Sequence, residues 1–149
     1  MELKYSNTIK DASKAAKAQL RDQDISFKDA TVYCKKLRGM KVSDATTYIT
    51  AVTEKNVALP FPIHRKGIGH RSGQPKIGKY PIKVGKRMLE LLTNLAANAD
   101  FKGLDAESLT ITHIQAQKGV DRVRRRPKGR WHGWARQYVS IQAVAEEKK

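Results

Sequence analysis

The whole of this chain's formal charge of +16 is collected in two stretches, so any fold it adopts must leave two concentrated cationic segments standing on a neutral body. Residues 55–89 hold nine Lys or Arg and no Asp or Glu, and residues 118–136 hold eight against the single Asp121. The other 95 residues carry 13 basic and 13 acidic side chains. Gathering like charge in this way raises the self-repulsion of the free protein, which favours a polyanionic partner, nucleic acid above all, over an inert surface role. Solubility alone does not require acid-free blocks of this length.

At 149 residues the chain fits one domain, and 40% apolar residues supply a core without covering extended arms. The single Cys34 excludes an internal disulfide and a multi-cysteine metal site, which points to a reducing compartment and a buried thiol. The N-terminal residues lack an apolar signal core, and no window approaches the roughly 20 apolar residues of a membrane span. A soluble protein that is not exported and has no membrane partner is expected.

Residues 1–25 are ambiguous. Ala12, Ala15, Ala16, Ala18 and Leu20 favour a helix by propensity, while Ala16, Ala18 and Leu20 alternate with Lys17, Gln19 and Arg21 as in a strand. Further on, Ser26 with Asp29 resembles a capping box, Ala30, Cys34 and Leu37 recur at helical spacing, and Gly39 supplies a stop, predicting a helix over about 27–38. Ser43 is placed to cap a second helix with Ala45, Tyr48, Ile49 and Val52 on one face.

The first basic block contains Pro60, Pro62, Pro75 and Pro81 with five glycines, a composition that forbids a regular element from 57 to about 80. A loop this long and this basic is functional or disordered, and it is expected to be mobile until a polyanion orders it. Pro81 suits a first helical residue. From there Val84, Met88, Leu91, Leu92, Leu95 and Ala99 trace one helical face ending near Gly103. Lys83, Lys86 and Arg87 crowd its first turns, against the helix dipole, and a bound phosphate would relieve this.

Residues 109–117 and 138–145 are rich in β-branched residues with partial alternation and read as strands. The second basic block lies between them, so the simplest topology is a long antiparallel hairpin with a cationic end. An arm over 117–128 could project roughly 35 Å at about 3.3 Å per residue. Arg122, Arg124 and Arg126 would share one of its faces, with Val123 and Arg125 on the other. Their planar guanidinium groups suit bidentate phosphate contacts, and Trp131 and Trp134 among them suit stacking on unpaired bases.

Catalysis finds little support. His64, His70, His113 and His132 are scattered without acidic or cysteine partners at ligand spacing, so additional RNA donors are the better reading of them. Gly67, Gly69 and Gly73 lack the strand, helix and spacing of a phosphate-binding loop. Acidic residues are nearly absent from both blocks, which removes the carboxylate metal cluster of nucleases. No catalytic residue, metal or cofactor is assigned.

Four segments carry a family resemblance: SFKDATVYCKKLRGMKVSDATTYITAV at 26–52, LPFPIHRKGIGHRSG at 59–73, KYPIKVGKRMLELLTNLAANAD at 79–100 and LDAESLTITHIQAQKG at 104–119. With them the chain resembles, over nearly its whole length, the large-subunit ribosomal protein family numbered twenty-two in bacteria, in its archaeal and eukaryotic form. The resemblance implies an α+β fold of three helices packed on a small antiparallel sheet, with residues 14–24 as a strand and a long protruding β-hairpin over about 111–144. It further implies a structural protein of the cytoplasmic large ribosomal subunit, with large-subunit ribosomal RNA, neighbouring ribosomal proteins and the nascent polypeptide as partners and no homo-oligomer.

Residues expected to meet ribosomal RNA are Arg65, Lys66, His70, Arg71, Lys76, Lys79, Lys83, Lys86 and Arg87 in the first block. In the second they are Arg122, Arg124, Arg125, Arg126, Lys128, Arg130, Trp131, Trp134 and Arg136. The part of the tip expected to line the peptide exit tunnel is Arg126, Pro127, Lys128, Gly129, Arg130 and Trp131. Here the chain departs from the family pattern of an Arg-rich stretch followed by Arg-Ala-x-Gly-Arg: fewer residues separate Pro127 from Gly129, and two tryptophans follow. A basic DNA-binding or nucleoid-associated protein is the alternative function. An RNA-modifying enzyme comes third, because it needs a cofactor pocket and an acid or base that the sequence does not offer.

Overall fold

The structure, a computed structural model, describes residue 5 and residues 11–105, 107–127, 129 and 132–147. Its elements run in the order β1 (Ala15–Gln23), α1 (Phe27–Leu37), α2 (Val42–Thr53), β2 (Leu59–Pro60), β3 (Gly78–Lys79), α3 (Ile82–Phe101), β4 (Leu109–Lys118), β5 (Arg122–Arg125), β6 (Gly133–Arg136) and β7 (Val139–Glu147). An α+β arrangement results, with three helices and antiparallel sheets, as the resemblance implies. The main sheet has the order β1-β7-β4 with both pairings antiparallel, so the C-terminal strand lies in the middle.

Helix α3 packs on β1 and β7, α2 on α3, and α1 on β4. The periodic face read from the sequence supplies the core: Val84, Met88, Leu91, Leu92, Leu95 and Ala99 are all buried, together with Ala30, Cys34 and Leu37 of α1. They meet a sheet face built from Ala16, Ala18, Leu20, Ile111, Ile114, Ile141, Ala143 and Ala145. The alanines of β1 show why helix propensity loses here. Small side chains on the strand let α3 come close, and packing outweighs a per-residue preference of a few tenths of a kcal/mol. Lys102, at the end of α3, fastens the start of β1 by donating to the carbonyls of Ala12 and Ala15 at 3.0 and 2.7 Å.

Helix α1 starts as expected, with the Asp29 N–H donating to Ser26 Oγ at 3.4 Å, and it stops at Gly39, whose φ of +84° suits glycine. Helix α2 corrects the expectation for Ser43. It begins two residues earlier, at Val42, with Lys41 at the N-cap and no side-chain cap. The edge of β4 sets this start instead: the Gly39 N–H donates to the Ile111 carbonyl, the Ile111 N–H donates to the Met40 carbonyl, and Lys41 bridges Thr110. Pro81 likewise sits at the N-cap of α3 rather than at its first helical position, because its ψ of 73° is not helical.

Residues 57–80 are not wholly irregular. β2 and β3 pair antiparallel, Leu59 with Lys79 and Pro60 with Gly78, and His70 bridges Ile77. Leu59 and Phe61 enter the core and hold the neck of the loop shut. Two-residue strands cannot be read from a sequence dense in Pro and Gly, since tertiary anchoring rather than local preference forms them.

Gly85 sets the distance between α3 and the other two helices. A Cβ there would lie 2.6 Å from Thr53 Cγ2 and 3.0 Å from Tyr33 Oη. For Gly85→Ala, overpacking of about 1–3 kcal/mol outweighs a helix-propensity gain of at most about 1 kcal/mol. A lowered urea midpoint is the expected result, and a raised one would contradict this packing.

Candidate nucleic-acid interface

The first basic block occupies the loop between β2 and β3 and the first turns of α3. Inside the loop the Arg65 Nε donates to the Pro62 carbonyl at 2.9 Å and the Arg71 N–H donates to the Lys76 carbonyl at 2.8 Å. The Arg71 guanidinium lies 4.3 Å from the centre of the Tyr80 ring and also donates to its hydroxyl. Cation–π contact of this kind holds an arginine in place while its remaining donors face outward. His64, Arg65, Lys66 and Lys79 face Lys28 of α1 across a cleft of about 510 Å³. Lys79 Nζ stands 3.7 Å from Asp29, and on α3 Arg87 pairs with Glu90 at 2.7 Å while Lys86 is exposed.

The second block continues the β4–β7 ladder outward. Lys118 pairs with Val139, and pairing resumes at Arg122 with Arg136 and runs to Arg125 with Gly133. Three residues on one strand oppose two on the other across the gap, so the ribbon bulges there. Directly opposed residues of an antiparallel pair share a face. Arg122, Arg124, Trp134 and Arg136 therefore lie on one face, and Val123, Arg125 and Ala135 on the other. The Arg124 guanidinium stacks 4.1 Å from the Trp134 ring centre, and Arg122 lies 5.4 Å from Tyr138. Trp134 stays 51% exposed and Val123 64% exposed, so neither belongs to the core.

Asp24, just past the end of β1, ties the two blocks together. Its carboxylate accepts from Arg136 of β6 and, at 2.7 Å, from Lys83 of α3. These two hydrogen bonds, Arg136 first, hold the Asp24 carboxyl well below its ordinary value of 3.8, with desolvation opposing them. A carboxyl whose pKa folding depresses contributes stability above its unfolded value and loses that contribution as pH falls toward the folded one. The link is expected to persist through neutral pH and to weaken only below 3.8. An NMR titration of the Asp24 carboxyl carbon checks this, and a midpoint at or above 3.8 would contradict it.

The sequence profile of the family described as Ribosomal protein L22p/L17e matches residues 18–146. Large ribosomal subunit protein uL22 of Archaeoglobus fulgidus is 42% identical over 146 residues, covering 95% of this chain and 94% of its own. Its counterparts from Haloarcula marismortui and Thermofilum pendens are 36% and 37% identical, covering 92% and 90% of this chain and 91% and 90% of theirs. The chain belongs to the L22p/L17e family. It is thus a structural protein of the large ribosomal subunit, cytoplasmic and not an enzyme.

Burial pushes the Cys34 thiol up to about 12, which leaves it protonated and unreactive at neutral pH. Burial, with Arg38 nearby, also lowers the His113 pKa. Among the basic residues singled out in this L22p/L17e chain, the described ones are exposed apart from the half-buried Arg71. Lys128, Arg130 and Trp131 lie outside the described residues, so of the expected tunnel-lining tip only Arg126, Pro127 and Gly129 are placed, all exposed. Sequence reasoning gave Asp24, Tyr80 and Tyr138 no part in the interface. The two tyrosines do carry a signal, since Tyr80 lies inside the first basic block and Tyr138 follows the second by two residues; Asp24 carries none, because its neighbours across space are distant in sequence.

Proposed function

We propose that this chain binds large-subunit ribosomal RNA with both basic blocks and that its outer hairpin lines the peptide exit tunnel, where it meets the nascent polypeptide. One observation carries the RNA reading: the described basic residues of both cationic blocks are exposed apart from the half-buried Arg71, and the two blocks meet at Asp24 through Lys83 and Arg136. Phosphate neutralisation supplies most of the affinity, and stacking on exposed aromatics selects unpaired bases. The first turn of α3 holds no acidic residue, and its Lys83 is exposed. The tunnel reading rests on family membership and on the outward continuation of the β4–β7 ladder by β5 and β6. Neighbouring ribosomal proteins complete the setting, and the chain acts as a monomer within it.

Co-sedimentation with the large ribosomal subunit, with release only at high salt, is the expected result. Competition by duplex DNA as strong as that by folded ribosomal RNA at equal salt would instead favour a basic DNA-binding protein. Amide exchange over 57–80 and 122–127 is expected to slow when RNA binds. Unchanged exchange in both would count against these segments as the interface.

A further inference from the structure

The ribbon β5–β6 and the start of α3 enclose a concavity of about 700 Å³ whose walls include Asp24, Lys83, Arg122, Arg124, Trp134 and Arg136. We propose that it receives one unpaired nucleotide of single-stranded RNA. The base stacks on the layered Trp134–Arg124 pair, and the phosphate takes Lys83 and Arg136 in exchange for Asp24. This rests on the RNA-binding reading above and gives it a defined site.

Three independent features converge there. First, Trp134 is a large apolar side chain left half-exposed on a ribbon with no core behind it, and an indole so placed offers a π-face to a partner. Arg124 already lies over that ring, its Cζ 4.1 Å from the ring centre, so the pair forms a cation–π platform on which a base can add a further layer. Second, the cross-strand register sets Arg122 and Arg136 on the same face as the platform. Arg122 in turn lies over Tyr138 at 5.4 Å, so cations and rings are interleaved as a sugar–phosphate and its base require. Third, Lys83 and Arg136 are already gathered around one anionic group, the Asp24 carboxylate. Asp24 thereby stands where a phosphate would bind and offsets the repulsion of bringing two cations together in the free protein. A phosphate offers more acceptor oxygens than a carboxylate and can take over both donors.

The volume lies within the range of small-ligand sites, about 300–1,000 Å³. Duplex RNA does not fit this chemistry, because its base faces are covered by their neighbours in the stack. Nor does an unselected peptide, since the gathered guanidinium groups demand an anion.

The chain has two tryptophans, so Trp131→Phe leaves Trp134 as the sole indole reporter in the full-length protein. Its fluorescence is followed at low salt with a six-nucleotide oligouridylate, an abasic hexamer of equal phosphate count and a short RNA duplex compared at equal phosphate concentration. The oligouridylate is expected to quench Trp134 and to bind about ten-fold more tightly than the abasic hexamer, the scale of one base–aromatic stack. For the variants, affinities are read by competition against a labelled oligouridylate. Trp134→Ala is expected to abolish that ten-fold preference while leaving abasic affinity unchanged. Trp134→Phe, which keeps a ring in the cross-strand pair, is expected to retain part of it. Asp24→Asn is expected to strengthen binding of all three probes. Equal affinity for base-bearing and abasic hexamers, or a preference that survives Trp134→Ala, would overturn the nucleotide site while leaving phosphate-driven RNA binding intact. Weakened binding in Asp24→Asn would overturn the exchange step. Failure of every probe to bind would remove the RNA reading itself, and the site with it.

Discussion

Raising monovalent salt from about 50 to about 200 mM is expected to weaken binding of this chain to ribosomal RNA by about four orders of magnitude. If about ten of the excess positive charges displace counterions from phosphates, the log–log slope for single-stranded RNA is near −7, and a four-fold rise in salt costs about four decades. The structure is consistent with that count. Among the described residues of the two blocks, only Lys79, Lys83, Arg87 and Arg136 meet carboxylates, and in each pair the basic side chain is exposed, so a phosphate can compete for it. Filter binding or fluorescence titration across the salt series measures the slope. A slope near zero would remove phosphate neutralisation as the source of affinity, whatever the shape of the site.

The largest expected effect on stability comes from Leu95→Ala. Leu95 is completely buried on the face of α3 that packs against β1, β7 and α2. Truncating a leucine at such a site costs about 2–5 kcal/mol through lost transfer energy and the cavity left behind. Against a total stability of about 5–15 kcal/mol for a small domain, this removes a large share of it. Urea unfolding monitored by far-UV circular dichroism is expected to show a lower midpoint with an unchanged slope. A loss below about 1 kcal/mol would mean that the three-helix layer does not depend on this face. RNA affinity of the remaining folded fraction is expected to stay at the wild-type value, since Leu95 is fully buried on the inner face of α3 and belongs to neither basic block. Together the two experiments separate the scaffold from the surface it presents.

Local chemistry made much of the scaffold legible. A run such as Val84, Met88, Leu91, Leu92, Leu95, Ala99 is satisfied only by a helix with one buried face, so its element and core residues follow from spacing alone. Ser26 and Gly39 bound α1 because a hydroxyl acceptor and a left-handed turn are local devices. The start of α2 illustrates the opposite case. Ser43 has the right chemistry for a cap, but the backbone two to four residues earlier is already paired with β4, and the helix begins where that pairing releases it. In the same way Leu59 and Phe61 close the neck of a loop whose Pro and Gly content signals only irregularity.

By itself, the sequence determined the charge segregation, the core face of α3, the strand character of 109–117 and 138–145, and the exposure of an Arg- and Trp-bearing hairpin, because each depends on composition or short-range periodicity. Tertiary structure supplied what local pattern could not for the alanine-rich segment at 15–23, the physical cause of the strand that the family resemblance implied: closeness to α3 and pairing with β7 outweigh its helical preference. It also decided that Lys83 and Arg136, 53 positions apart, share the carboxylate of Asp24. Hydrogen bonds and ion pairs form between groups that the fold brings together through space, and no local pattern along the chain records that distance.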